Sequence, residues 1–308
     1  MKNMLTGKRM MKQLVLVVGM AFVAACSPPA THAPSTAIDK PKAVATFSVI
    51  GDLVQNVAGD KIDLAVLVGA DAGVHDFEPL PSDMAKLAGA QIVFENGTGL
   101  ESWLDNLYVA SGSRGARVTL SNGVALLDVA GEHDPHIWQN PQNVMQMVKT
   151  IRDALVKADP PNALIYRQNA GAYLAKLAAL DQEVSAIVDQ LPKERRTLVT
   201  SHDSLGYFAQ RYGFKVVGSV MASLSTEAGE PSAQDIVALV NRIQRQHVKA
   251  IFLESRSNPK LVERIAREAG VNIGPELYTD ALGSAGSAGA TYIDAMRHNA
   301  RAIVEALR

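Results

Sequence analysis

Seven histidines and a single cysteine set the terms of any chemistry in this 308-residue chain. One thiol excludes a disulfide framework and any Cys-rich zinc or iron–sulfur site, because those need several thiolates close together. Metal chemistry therefore falls to imidazoles and carboxylates. His75 stands in Gly73-Val74-His75-Asp76-Phe77-Glu78-Pro79, directly after a β-branched apolar run. His136 stands in Asp134-Pro135-His136-Ile137-Trp138, ahead of a helix beginning near Pro141, and His202 stands in Thr200-Ser201-His202-Asp203 at the end of another apolar run. Asp280, in Tyr278-Thr279-Asp280, follows the last strand. In open α/β sheets ligands bind outside the carboxyl ends of strands, where these residues fall. Singly, each reads equally well as a polar loop residue or a turn cap. Together they form a set of three nitrogens and one oxygen that suits zinc, and that also suits Mn(II) or Fe(II) if the carboxylate binds through both oxygens. Glu78 and Asp203 are placed in sequence to orient the rings of His75 and His202 from behind. His133 is a spare imidazole, an accessory ligand at most, since the rigid Pro135 and bulky Trp138 favour His136. His247 and His298 belong to charged or amphipathic helical stretches and read as solvated-face residues.

The elements that must position these residues alternate in type. Thr46–Ile50, Ile62–Val68 and Gln91–Glu95 read as strands, with helices beginning near Asp52, Ser82 and Gly99. A second set has strands at Thr197–Thr200, Lys215–Val220 and Ala250–Leu253, and helices at Pro231–His247, Pro259–Ala269 and Thr291–Leu307. Such alternation predicts βαβ units and parallel sheets, hence two α/β lobes, which could share one topology without sequence similarity. From Pro160 to Leu191, apolar residues at Tyr166, Ala170, Tyr173, Leu177, Leu180, Val184, Ile187 and Leu191 step by four and three, the signature of one long helix. That spacing is also a heptad and would serve a coiled-coil seam, although a helix packed along both lobes explains it equally well. The expected organisation is residues 1–25 as a signal peptide, 26–42 as a tether, 43–159 as the first lobe, 160–192 as the linking helix and 193–308 as the second lobe.

Lys2, Lys8, Arg9 and Lys12 precede an apolar run from Leu14 to Ala25 that stops at Cys26. The run is too short for a bilayer core, which needs about 20 helical residues, so it reads as an export signal. Removing residues 1–25 takes away those four basic residues and no acidic one, so the formal net charge moves from −1 to −5. A mildly acidic chain offers no basic surface for nucleic acid. The stretch from Ser27 to Lys42, rich in Pro, Ala, Ser and Thr, reads as a flexible tether.

Val23-Ala24-Ala25-Cys26 resembles the bacterial lipobox, in which the cysteine is lipidated and becomes the first residue of the mature chain. From there to the last helix the sequence resembles the zinc/manganese class of substrate-binding lipoproteins of bacterial ABC importers (periplasmic solute-binding proteins, cluster A-I). The resemblance is carried by Val74-His75-Asp76-Phe77-Glu78-Pro79, Asp134-Pro135-His136-Ile137-Trp138, Thr200-Ser201-His202-Asp203 with Gly206-Tyr207-Phe208, Glu230-Pro231-Ser232-Ala233, and Tyr278-Thr279-Asp280. It implies two βα sandwich lobes joined by one long rigid helix, with a metal held between them by His75, His136, His202 and Asp280. It also implies a monomeric extracytoplasmic receptor anchored through lipidated Cys26, delivering its cargo to an ABC permease and ATPase, with a metallochaperone as a further candidate partner. Members that favour manganese or iron commonly carry a carboxylate at the third ligand position, where this chain has His202, which points to Zn(II). The long His- and acid-rich loop of many zinc members is absent, since Ser121–Pro135 holds only His133 and a few acids. A hydrolase would need an open coordination position and a nearby base, and no His-Glu-x-x-His pattern is present; an adhesin lipoprotein with incidental metal is the remaining alternative. A rigid linking helix predicts release by local movement of the loops around His202 and Asp280, with Gly283, Gly286 and Gly289 supplying flexible backbone.

Overall fold

The computed structural model describes residues 40–129, 131–226, 231–254 and 259–308. The signal segment, Cys26 and Glu230 lie outside the described residues. The chain enters on β1(Lys42–Phe47), whose residues after Lys42 are all buried, as expected of a central parallel strand covered on both faces. It continues through α1(Ser48–Ala58), β2(Asp63–Val68), α2(Pro81–Gly89), β3(Ile92–Glu95), α3(Leu104–Ala110) and β4(Ala116–Thr119). The sheet order is β2-β1-β3-β4, parallel throughout, with Phe47 opposite Val68 and Ala43 opposite Ile92. A small antiparallel hairpin, β5(Asp128–Val129) and β6(Glu132–His133), leads to α4(Pro141–Ala158) and α5(Ala163–Val188).

The second lobe runs β7(Thr197–Thr200), α6(Gly206–Tyr212), β8(Lys215–Ser219), α7(Ala233–Arg245), β9(Ala250–Ile251), α8(Pro259–Ala269), β10(Asn272–Ile273) and α9(Tyr292–Leu307). β7 pairs with β8 and β9 with β10, all parallel, and the Phe252 N–H donates to Val199 O at 2.9 Å to join the two pairs. The resulting order, β8-β7-β9-β10, repeats that of the first lobe.

Period-2 alternation sorts each sheet's side chains between two cores. Ala43, Ala45 and Phe47 of β1 face a large core that also contains Tyr166, Tyr173 and Leu177 of α5, and Leu198, Phe252 and Ile303 from the second lobe. Val44, Leu67 and Val93 face the other way, onto α2 and α3. In the second lobe Val199, Val217 and Ile251 turn to a separate cluster with α7 and α8. One apolar core thus runs continuously through both lobes.

α5 holds 26 residues, about 39 Å at 1.5 Å per residue, and packs on α4, α9 and α1. Polar anchors reach it from both lobes. Asn169 Nδ2 donates to Val57 O (3.1 Å) and the Tyr173 hydroxyl to Asp52 Oδ2 (3.2 Å) on α1. Further along, Arg211 Nε and the Tyr212 hydroxyl each donate to Asp181 Oδ1 at 3.0 Å, and Arg297 Nε donates to Glu183 at 2.8 Å. The helix starts are capped from the sequence: Asn140 Oδ1 accepts from Gln142 N (2.9 Å), and Ser232 Oγ accepts from Asp235 N (3.2 Å).

Candidate metal centre

His75 lies in the loop after β2, where the indole N–H of Trp103 donates to Val74 O at 2.8 Å and so fixes the backbone just before the ligand. Asp134 shapes the turn that carries His136. Its Oδ1 accepts from the His136 backbone N–H (2.9 Å) and meets His136 Nδ1 (2.8 Å), while Tyr207 donates its hydroxyl to Asp134 O (3.0 Å). Asn96 Nδ2 donates to Pro135 O (2.8 Å), and Glu101 holds that asparagine's loop by accepting from the Asn96 N–H (2.7 Å) and the Thr46 hydroxyl (2.7 Å). Burial pushes the Glu101 carboxyl up to about 7, against the lowering effect of these hydrogen bonds. His202 follows the end of β7, its carbonyl accepting from Thr200 Oγ1 (2.6 Å). Asp280 follows a bridge between Glu254 and Leu277. The Trp138 indole (2.7 Å) and Gln139 Nε2 (2.9 Å) both donate to Thr279 O, so the loop bearing His136 clamps the loop bearing Asp280.

These four loops bring the imidazoles and the carboxylate together, with ligand atoms all within 4.8 Å of one another. The His136 Nε2 lies 3.4 Å from His75 Nε2 and 3.3 Å from His202 Nε2. Asp280 Oδ2 is 3.1 Å from His202 Nε2 and 3.6 Å from His75 Nε2, and its Oδ1 is 3.6 Å from His136 Nε2. All three rings are buried, and Asp280 Oδ1 is a buried acceptor with no hydrogen-bond donor. Three nitrogens and an undonated carboxylate oxygen facing one point are the donor set of a cation site.

The electrostatics divide the histidines. Burial pushes His75 down to about 4, against the pull of Asp280 and with the help of His136 and His202. Burial acts on His202 in the same direction, but Glu254 and Asp280 outweigh it and hold this imidazole well above its ordinary value. Burial would raise Asp280, yet His202, His136 and His75 hold its carboxyl far below the usual carboxylate range.

The supporting residues differ from those expected. Glu78 is exposed, and the carboxylate against an imidazole Nδ1 in this lobe is Asp134. Asp203 is half-buried with its N–H on Ser223 O, and the carboxylate beside His202 is instead Glu254, whose Oε2 lies 2.7 Å from Nδ1, off the line of a well-aligned hydrogen bond. Asp134 was accessible to sequence reasoning as the residue two before His136; Glu254 was not, since it lies 52 residues from His202 along the chain. His133 sits on the exposed hairpin, 2.9 Å from Asp128 and outside the four-residue cluster. His247 is exposed, while His298 packs on Tyr278 rather than standing free in solvent.

Three buried histidines and one half-buried aspartate clustered between two parallel-sheet lobes have the donor set of a metal-binding protein. The chain belongs to the family described as zinc-uptake complex component A, periplasmic (ZnuA), which matches residues 43–306. It is 37% identical over 268 residues to a manganese-binding lipoprotein, MntA, of Halalkalibacterium halodurans, covering 86% of this chain and 88% of that one. It is 31% identical over 312 residues to the manganese ABC transporter substrate-binding lipoprotein PsaA of Streptococcus pneumoniae, covering 97% and 99% respectively. Among solved structures, the periplasmic zinc-binding protein TroA of Treponema pallidum superposes with a TM-score of 0.81 at 33% identity, over 87% of this chain and all but 1% of that one, since 99% of it is covered.

Proposed function

We propose that this protein is an extracytoplasmic receptor that captures Zn(II) with His75, His136, His202 and Asp280 and delivers it to an ABC permease driven by its ATPase. The coarser part rests on the family: the chain is a substrate-binding protein of the metal ABC transporter type, not an enzyme. Membrane attachment through lipidated Cys26 accords with relatives named as lipoproteins, and no described helix is long and apolar enough to cross a membrane.

The observation that carries zinc is the spacing of the nitrogens. Two ligands of a tetrahedral zinc at 2.0–2.1 Å are separated by about 3.3–3.4 Å, and His136 Nε2 stands 3.3 and 3.4 Å from the Nε2 atoms of His202 and His75. Three imidazoles also favour zinc over manganese, which prefers oxygen. A second reading, Mn(II) or Fe(II), draws support from Asp280, whose two oxygens both face imidazole nitrogens and could bind together to raise the coordination number. The test is metal content and competition among Zn(II), Mn(II) and Fe(II) for the chain beginning after Cys26, beside His202→Ala. One zinc per chain, lost in the variant, is the expected result; preference for manganese or iron overturns the metal assignment while keeping the receptor.

A further inference from the structure

The two ligands supplied by the second lobe share one buried carboxylate, and we infer that Glu254 is the positioning residue that fixes His202 and Asp280 as a single unit. The inference rests on the receptor reading above and concerns how half of that site is held. Glu254 Oε1 accepts from the backbone N–H groups of Ser201 (2.9 Å) and His202 (3.2 Å). Its Oε2 accepts from Ser204 Oγ (3.2 Å) and Thr279 Oγ1 (2.8 Å), and the same oxygen stands 2.7 Å from His202 Nδ1. One side chain therefore touches the main chain leading into His202, the ring of His202 and the residue before Asp280. The backbone bridge from Glu254 to Leu277 ties the start of the Asp280 segment to the same residue. A carboxylate this buried is tolerable because so many donors converge on it.

The first lobe is built otherwise. His75 is held through Trp103 and His136 through Asp134, by separate groups on separate loops. Displacing Glu254 therefore moves two ligands at once, whereas displacing Trp103 or Asp134 moves one. Glu254 also sets the tautomer of His202. Once Nε2 gives up its proton to a metal, an acceptor beside Nδ1 favours the remaining proton there. A glutamine of the same shape would offer an amide donor at that point, favour the proton on Nε2 and so block the metal-facing nitrogen.

The experiment compares the full-length chain in detergent with Glu254→Gln and with Tyr166→Phe, a control that loses a hydrogen bond to Asp159 away from the site. Three quantities are read: Zn(II) affinity by chelator competition, the visible spectrum of the Co(II)-loaded protein, and amide exchange of the metal-free protein. Glu254→Gln is expected to weaken zinc by about 10–100-fold, to change the cobalt bands, and to speed exchange at residues 200–204 and 278–281 together. Tyr166→Phe is expected to lower Tm and to change none of these. A folded Glu254→Gln protein with wild-type affinity and cobalt spectrum, or with faster exchange in only one of the two segments, overturns the inference. Should Glu254→Gln fail to fold, Thr279→Val carries the test: faster exchange across the carboxylate at 200–204 supports it, and unchanged exchange there overturns it. A wild-type chain that binds neither Zn(II) nor Co(II) overturns the receptor reading, and the metal-free exchange then decides the role of Glu254 alone.

Discussion

The two lobes share a strand order but not a build. In the first, β1, β2, β3 and β4 hold six, six, four and four residues, and β1 is laddered on both sides. In the second, β7, β8, β9 and β10 hold four, five, two and two, and the Phe252 N–H, just after β9, bonds Val199 O of β7 at the sheet's centre. Fewer ladder bonds mean that local opening costs less. The ligand supports follow the same division, with dispersed anchors in the first lobe and a single hub at Glu254 in the second. Because one core runs through both lobes and α5, wide hinge motion would have to break packed apolar surface. If release needs the site to open, the cheaper movement is in the loops of the second lobe rather than in the lobes as bodies.

Removing a ligand from each lobe should break the comparison most visibly. His136→Ala and His202→Ala should both abolish stoichiometric metal binding, but their metal-free stabilities should differ. His136→Ala strands the buried Asp134 carboxylate, which keeps only the backbone N–H of residue 136, and should cost about 1–3 kcal/mol. His202→Ala takes the held-up imidazole from between Glu254 and Asp280, leaves both carboxylates without it, and should cost more. Denaturant unfolding of the metal-free variants checks this, and equal losses would remove the distinction between the lobes.

The ligands of the two lobes also differ in proton linkage. His75 is held down at about 4, so between pH 6.5 and 4 the unfolded chain takes up this proton first, and stability falls as pH drops through that window. His202 is held up, so the folded chain takes its proton first; this contribution is fully present below pH 6.5 and is lost as pH rises through the folded-state value. Coordination needs neutral imidazole, so near pH 7 metal binding must expel the proton on His202 and none from His75. Calorimetry in buffers of different ionisation enthalpy should record the release of about one proton per metal; a value near zero would mean that the two imidazoles start alike.

How much of this was legible in the sequence depended on whether the signal was local. Thr197–Thr200 and Pro259–Ala269 end where the residue patterns end, and the four donors stood out because each occupies a short loop near a strand's carboxyl end. The first strand was misplaced. Val49 and Ile50 look like the end of a β-branched run, but they belong to the buried face of α1 with Leu53, Val54 and Val57, and no side-chain cap marks the junction at Phe47. The stripe on the long helix was legible except at its end, where Val188 is buried rather than Ile187 and Leu191 lies beyond the helix, and at Asp181, a buried carboxylate whose partners Arg211 and Tyr212 lie about 30 residues on. Glu78 and Asp203 neighbour their imidazoles in sequence, whereas Glu254 reaches His202 through tertiary pairing of β7 and β9.

The glycines after Asp280 illustrate the same limit and lead to the smallest expected effect. Gly283 and Gly289 are not free backbone: a Cβ on Gly289 would stand 2.4 Å from the Tyr278 ring, and one on Gly283 2.2 Å from Ser287 Oγ and 2.8 Å from the Tyr278 ring, so both are held by close packing. Only Gly286, at φ +87°, needs glycine for its conformation. The loop is instead strapped to the first lobe. Asp71, a non-glycine residue at φ +54°, donates its N–H to Leu282 O (2.9 Å) and accepts the Ser284 N–H on Oδ2 (3.0 Å), and Ser48 Oγ accepts from Leu282 N (3.0 Å). If release proceeds by movement of this loop, the strap opposes it. Asp71→Ala removes one exposed hydrogen bond, worth about 0.5–1.5 kcal/mol, which allows roughly a two- to tenfold faster off-rate at nearly unchanged overall stability. Stopped-flow release of zinc into excess chelator measures it. Asp71→Gly should speed release by less than its lost carboxylate alone would suggest, because relief of the left-handed strain favours the strapped backbone. An off-rate equal to wild type in both variants would mean that the Asp280 loop does not leave the first lobe when the metal does, and that movement at His202 alone opens the site.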